Sequence, residues 1–582
     1  MIPPVNLTTY KQKSETQHSR KRYRRCFCFF TKTHLRKENY HEKLNMLLCA
    51  GLLVLNTACS SKPDPSSPTP ETKQNSIVVA VGGQITTLDP GFNTETVNNY
   101  ILAHTISSLM TKDENGNVIP ELAESYTVSD DGLTYTLKIK NGLTWSDGKS
   151  LTSQDFKYAI LRNLTYGAEN SLTIYNLITY LKGAEEIASN TDLDAATLEI
   201  DGVQTPDDST LVLTLKQPCA FFLNLLCGNV WSPLRADFAD PHDSTWALKP
   251  GYPSIGAYQL AECNENEKAV IVKNDSYYNA DAITLDQITF LVMPDSDAQS
   301  FAYKNGEIDI AMNVPVDVGV NYPNQNEVWN IPSPTSYFIA LNSGSTAPEC
   351  LKDSRVRKAL AISIDKQALA STLGPEEYYQ ALAGYVPSGL NGADGDFRKE
   401  ADAQGTMQAY DPEQAKTLLK EAGYDETNPL KIKYKYSSSF IHADVAQILE
   451  AMWKTIGIDC ELEVVESGVF YNQIDNGDFD LSRYGYTASD DPSQFLTLWT
   501  IGQQVVPAVE DPAYDQMIQE AAAIVDHTEY MNALHAAEEY LIEEQAYIIP
   551  LFSYNTPILK SEKIQNATKK GTTPYYGYVT LQ

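Results

Sequence analysis

Residues 121–148 read ELAESYTVSDDGLTYTLKIKNGLTWSDG, and this stretch decides the class of fold. Ser129-Asp130-Asp131-Gly132 is a turn, because Gly132 tolerates positive φ and Asp side chains bond the nearby backbone. Leu133 to Lys140 then alternates apolar and polar residues with period two, the mark of a half-buried strand. Asn141-Gly142 is a hairpin dipeptide, and Trp145-Ser146-Asp147-Gly148 makes a further turn beside a large aromatic anchor. Local physics therefore gives a β-hairpin in a mixed domain.

Outward from it, helices and strands intermingle. Ile77 to Gly83 is a buried-type strand ending in glycines, followed by an extended Gln84-Ile85-Thr86-Thr87-Leu88-Asp89-Pro90. Helical patterns cover Thr94–Met110, Ser153–Arg162 and Ser171–Ile187, and Asp113-Glu114-Asn115-Gly116 is a hairpin turn. Asp411 caps a helix that has Pro412 at its first position and ends at Ala422-Gly423. Leu430 to Tyr436, a helix to Ile456 and Glu461–Val465 form strand–helix–strand, the parallel α/β unit.

The chain has 582 residues, enough for two or three lobes. It holds 44 Lys+Arg against 75 Asp+Glu, a net charge of −31, and the first 58 residues hold 11 of the basic and only 3 of the acidic groups. So acidic a body repels phosphates, which argues against nucleic-acid binding. Nine cysteines show no CxxC pair and no zinc spacing. The five after Cys59 read as small buried hydrophobes, with a Cys219–Cys227 bridge as the minority alternative.

The stretch AESY…DDGLTYTLKIKNGLTWSDGKSLTSQDF closely resembles the signature region of the family 5 solute-binding proteins, the receptors of oligopeptide and dipeptide ABC importers. Ser254-Ile255-Gly256-Ala257-Tyr258, Lys273 to Tyr278, Gly306-Glu307-Ile308-Asp309, Arg355 to Lys366, Tyr410 to Tyr424 and Ala546 to Phe552 match further family segments in order. The resemblance implies a periplasmic-binding-protein-like α/β fold, two lobes joined by hinge strands plus an extra smaller lobe. It places the N-terminal lobe at 77–336, with the extra lobe inserted at about 91–205, the C-terminal lobe at 337–553, and a return segment at 554–582.

Residues 1–34 are basic, lack apolar periodicity and read as a non-native or disordered extension. Residues 35–58 read as a signal peptide, with an apolar run from Leu44 to Leu55 too short to span a bilayer, which takes about 20 residues. Thr57-Ala58-Cys59 resembles a lipobox, in which Cys59 is acylated, although Asn56 stands where that pattern has Leu. Residues 59–76, rich in Pro and Ser, form a flexible tether. The expected protein is thus a monomer, lipid-anchored in the membrane on the extracytoplasmic face, with the permease's transmembrane subunits as partners.

For the site, Ser482 to Leu496 resembles the family's R-x-G-W-x-A-D-Y-x-D-P-x-x-F-L segment, which pairs with a peptide backbone like an added strand. The resemblance implies ligand contacts from Gly485, Tyr486 and Thr487, and from the backbone of Gln84, Ile85 and Thr86 in the extended segment, for which an ordinary strand end is the alternative. Tyr175 in the Tyr-bearing helical stretch and Phe338 at the lobe crossing join the candidate set. Arg483 is placed to hold a ligand carboxylate, with a surface ion pair as the alternative. Ser489 stands where the family's ammonium-binding Asp belongs, so Asp490 or Asp491 takes over that contact or the ligand lacks a free amine; for Asp490 a solvated turn residue is the alternative.

No cofactor, metal or catalytic group is expected. Gly148-Lys149-Ser150 lacks the first P-loop glycine, and His442, His527 and His535 read as surface residues. The leading function is capture of oligopeptides or dipeptides for import, without chemistry. The same fold with a nickel chelate, haem or oligosaccharide is one alternative, and a cell-wall glycosidase with two motif-free carboxylates is a more distant one.

Overall fold

The computed structural model describes residues 75–582, except 114–115, 166–170, 190–192, 240–242, 406–408, 439–440, 489–490 and 502–507; the side chains of 171–173, 175–176 and 467–468 are also outside the description. The extension, signal peptide, tether and acylation site expected at residues 1–74 therefore lie outside the described residues.

Three sheets organise the rest. A seven-stranded sheet runs Val328–Trp329, Ile558–Lys560, Ile310–Ala311, Ser76–Val81, Gln287–Val292, Lys268–Lys273, Tyr258–Asn264. Its central strand, Ser76–Val81, is parallel to both neighbours and buries Ile77, Val79 and Val81 completely, as its unbroken apolar run requires. A six-stranded sheet runs Tyr379–Ala381, Ile548–Tyr554, Thr335–Leu341, Leu481–Thr487, Lys431–Ser437, Asp459–Val465. All seven residues of Thr335–Leu341 are buried. The strand–helix–strand unit has Lys431–Ser437 parallel to Asp459–Val465, connected through helix His442–Thr455.

The third sheet, Ala123–Val128, Thr134–Ile139, Thr210–Thr214, Val203–Asp207, is the small lobe. The opening hairpin turns at Ser129–Gly132, where Gly132 has φ 68° and its N–H bonds the Ser129 carbonyl at 2.8 Å. Asn141-Gly142 does not close a hairpin. The strand Thr134–Ile139 pairs on its far side with the distant Thr210–Thr214, so the dipeptide only bends the chain towards the buried Trp145. The strand pair Val203–Asp207 and Thr210–Thr214 straddles residue 205, so the small lobe continues past that point, and its core takes in Phe222, Trp231 and Ile255.

Two sequence motifs meet here. Ser146 N–H donates to the Ser254 carbonyl at 2.9 Å, and Ser146 Oγ accepts from Ser254 N–H at 2.9 Å. Gly256 follows because a Cβ there would lie 2.4 Å from the Thr105 carbonyl carbon. The helix expected over Ser171–Ile187 instead stops at Tyr180 and resumes at Ala184, with Gly183 left-handed between them.

Two segments cross between the large sheets. One runs from Trp329 to Thr335 and the other returns from Tyr554 to Ile558. They lie side by side, because Trp329 pairs with Ile558 on one sheet and Tyr337 with Phe552 on the other. Ser333 N–H donates to Asn555 Oδ1 between them at 2.9 Å. The described cysteines, Cys219, Cys227, Cys263, Cys350 and Cys460, are thiols, so the Cys219–Cys227 bridge does not form; Cys219 and Cys460 are buried and the other three half-buried.

Candidate functional site

Strand Leu481–Thr487 pairs antiparallel with Thr335–Leu341 along its whole length, from Leu481↔Leu341 to Thr487↔Thr335. Its other neighbour, Lys431–Ser437, stays in register only through Tyr434↔Leu481 and Lys435↔Ser482. Beyond Ser482 the two parallel strands part. Among the described residues nothing pairs the second edge of Arg483 to Thr487, which leaves main-chain donors and acceptors unladdered at the carboxyl end of a parallel pair. Open α/β sheets form their binding crevices at such places.

Alternation along the strand sends Arg483 to one face and Tyr484 and Tyr486 to the other. Tyr484 and Tyr486 pack against the cluster holding Phe338, Tyr385, Phe495 and Trp499. Arg483 is only 7% exposed. One guanidinium nitrogen donates to Ser437 Oγ at 2.8 Å and to the Tyr471 hydroxyl at 3.2 Å. The Phe470 ring lies 4.7 Å from the guanidinium carbon. Its Nε has no hydrogen-bond partner, and no carboxylate pairs with Arg483 among the described residues. A surface ion pair is therefore not its role here: among the described residues it is a buried cation with no carboxylate beside it, a costly arrangement unless an anion completes it.

The charge reaches its neighbours. Burial, then the nearby Arg483 charge, lowers the His442 pKa to about 3. His442 is buried, not at the surface, because its Nδ1 meets the Tyr337 hydroxyl at 2.9 Å. His535 is likewise buried, stacked 4.0 Å from Phe397, while His527 bonds the Gly392 carbonyl at 3.0 Å. His442 and Tyr471 are the residues near Arg483 that sequence reading missed. Only the strand–helix–strand pattern hinted at His442, since it brings strand Lys431–Ser437, whose crossover helix starts at His442, beside Leu481–Thr487.

The remaining candidates divide. Phe338 is core: at 1% exposure it supports Tyr484 from beneath, with ring centroids 5.7 Å apart, and offers no face to a ligand. Asp491 is an internal carboxylate, 1% exposed, accepting from the Tyr530 hydroxyl at 2.8 Å and from Ser493 N–H at 2.9 Å. Tyr530 also stacks on Phe221 of the small lobe, centroids 6.3 Å apart, so Asp491 sits where two lobes meet. Ser489, Asp490 and the Tyr175 side chain lie outside the described residues.

Gln84, Ile85 and Thr86 belong to the other lobe, just past strand Ser76–Val81. Ile85 N–H donates to the Glu265 carbonyl at 3.0 Å, and Thr86 exchanges two bonds with the Asn98 amide at 3.2 and 2.9 Å. The segment is held further down by Asp89, which is fully buried against Arg162 and accepts from Trp246 Nε1 at 2.7 Å.

The family model of the bacterial extracellular solute-binding proteins, family 5 (middle), matches residues 117–505. The chain belongs to this family. Among family 5 relatives, the periplasmic oligopeptide-binding protein OppA of Escherichia coli K12 is 27% identical over 515 residues, 87% of this chain and 91% of OppA. The probable deoxycholate-binding periplasmic protein YgiS of the same strain is 29% identical over 483 residues, 81% of this chain and 86% of YgiS. Among solved structures, a periplasmic oligopeptide-binding protein (OppAIV) from Borrelia burgdorferi aligns with TM-score 0.70 at 25% identity, covering 88% of this chain and all of that one. The family 5 architecture, two α/β lobes with hinge strands and a smaller third lobe, is the one described above.

Proposed function

We propose that the chain binds short peptides between its two large lobes, outside the cytoplasm, and hands them unaltered to an ABC permease. The observation that carries this reading is the open edge of Arg483–Thr487 next to a buried Arg483 that no carboxylate pairs with among the described residues. An extended peptide adds to that edge through its main chain, which leaves its side chains unread, and its terminal carboxylate supplies the missing negative charge. The ammonium end falls to Asp490, since Asp491 is already engaged by Tyr530 and Ser493. Gln84–Thr86 closes over the ligand from the opposite lobe, and the paired crossings act as the hinge. Cys59 tethers the protein to the membrane through its acyl chains, and the domain limits are those of the sequence reading, with the small lobe extended. No group of the site is used for bond making or breaking.

A second reading has one specific support. One relative, YgiS, is named a probable deoxycholate-binding periplasmic protein, and deoxycholate is not a peptide. A carboxylate-bearing amphiphile would satisfy Arg483 as a peptide does. Native mass spectrometry after incubation with a mixed di- to pentapeptide library and with deoxycholate separates the two. Retained peptides support the proposal; retention of deoxycholate alone replaces it with the second reading, and retention of neither overturns both.

A further inference from the structure

Helix Ser467–Asp475 lies beside the splayed strands and carries Tyr471, which is 47% exposed. Its ring stands 5.5 Å from the Arg483 guanidinium carbon and edge-on to Tyr484, centroids 6.0 Å apart. Its hydroxyl oxygen accepts from an Arg483 nitrogen at 3.2 Å. A phenol that accepts through oxygen still has its own O–H to give. Among the described residues that proton has no acceptor, and the Arg483 Nε–H has none either. Two donors, one charged and one polarised by that charge, thus lack acceptors among the described residues at the same place. A third feature agrees: the Tyr471 ring is the exposed wall beside a cation that is itself buried.

We infer that Tyr471 is the second arm of a carboxylate clamp, its O–H donating to the anion whose charge Arg483 neutralises. This rests on the peptide-binding reading and sharpens it. The guanidinium supplies charge and the phenol supplies direction. A carboxylate accepts from both, whereas a terminal amide, neutral and with one oxygen, cannot balance Arg483. The site therefore selects for a free carboxyl end.

The test is calorimetric titration of the full-length protein with trialanine and with trialanine amide. Wild type is expected to bind the acid at least tenfold more tightly than the amide. Tyr471→Phe keeps the ring and removes the donor; it is expected to weaken the acid at least fivefold while leaving the amide unchanged. Tyr471→Leu, which also removes the wall, must show the same selective loss. Unchanged acid affinity in Tyr471→Phe, or equal losses for acid and amide, overturns the clamp and leaves peptide binding standing. Failure of wild type to bind either peptide removes the peptide-binding reading and the clamp with it.

Discussion

Arg162 grips Asp89 through both terminal nitrogens, at 2.8 and 2.6 Å, and both side chains are wholly shielded from solvent. Arg162 lies on the small lobe's first long helix and Asp89 ends the extended segment that includes Gln84–Thr86. The pair therefore decides where that segment lies. Replacing Asp89 by Asn removes the carboxylate charge from this fully buried ion pair. The expected cost is about 3–5 kcal/mol of stability, measured by urea unfolding.

Arg483 predicts the opposite sign for stability. Arg483→Met removes a buried cation that no described carboxylate neutralises, and puts an uncharged thioether where the guanidinium lies over Phe470. Unfolding free energy is expected to stay level or rise, while peptide affinity falls at least tenfold, about 1.4 kcal/mol. Calorimetry and urea unfolding on the same variant check both signs. Parallel losses would mean the residue is structural.

Acid sensitivity follows from two shielded imidazoles. Burial lowers His104 to about 3, and its ring is locked by the Tyr100 carbonyl at 2.8 Å and by Tyr576 N–H at 2.9 Å. His442 is likewise lowered to about 3. Above pH 6.5 both are neutral whether folded or unfolded. Below it the unfolded chain takes up protons that the folded chain refuses, so stability falls as pH drops from 6.5 towards 3, each histidine adding up to about 1.4 kcal/mol per pH unit. Urea midpoints at pH 7, 5.5 and 4.5 test this, and His104→Gln should flatten the curve.

Gly256→Ala tests the close approach of the turn at Gly256 to the backbone at residues 104–106. The added methyl would overlap backbone atoms of His104, Thr105 and Ile106, none of which is a yielding side-chain tip. A loss of about 1–3 kcal/mol is expected, read as a lower midpoint in thermal unfolding.

Much of the architecture was legible because period and punctuation are local signals. Asp411 does accept from Gln414 N–H at 2.8 Å, and Ile77, Val79 and Val81 are buried in the strand that their apolar run announced. Asn141-Gly142 misled because a hairpin dipeptide says nothing about which distant strand takes the far edge. His442 and His535 misled because polarity predicts exposure only until a hydroxyl or a ring is found in space. The Arg483 surroundings were half legible. The strand carrying it could be read, but Ser437, Phe470 and Tyr471 come from other elements, and no one-dimensional pattern records that they converge.

The two strips of chain joining the large sheets are neighbours, antiparallel and stitched together by Ser333 and Asn555. Pro332, Pro334 and Pro557 stiffen them on either side of that stitch. A pair of adjacent struts resists shear and twist far better than one strut alone, and leaves a swing about their shared line as the easy motion. Any separation of the two sheets is thereby confined to a one-dimensional swing about that line, which leaves both sheets intact.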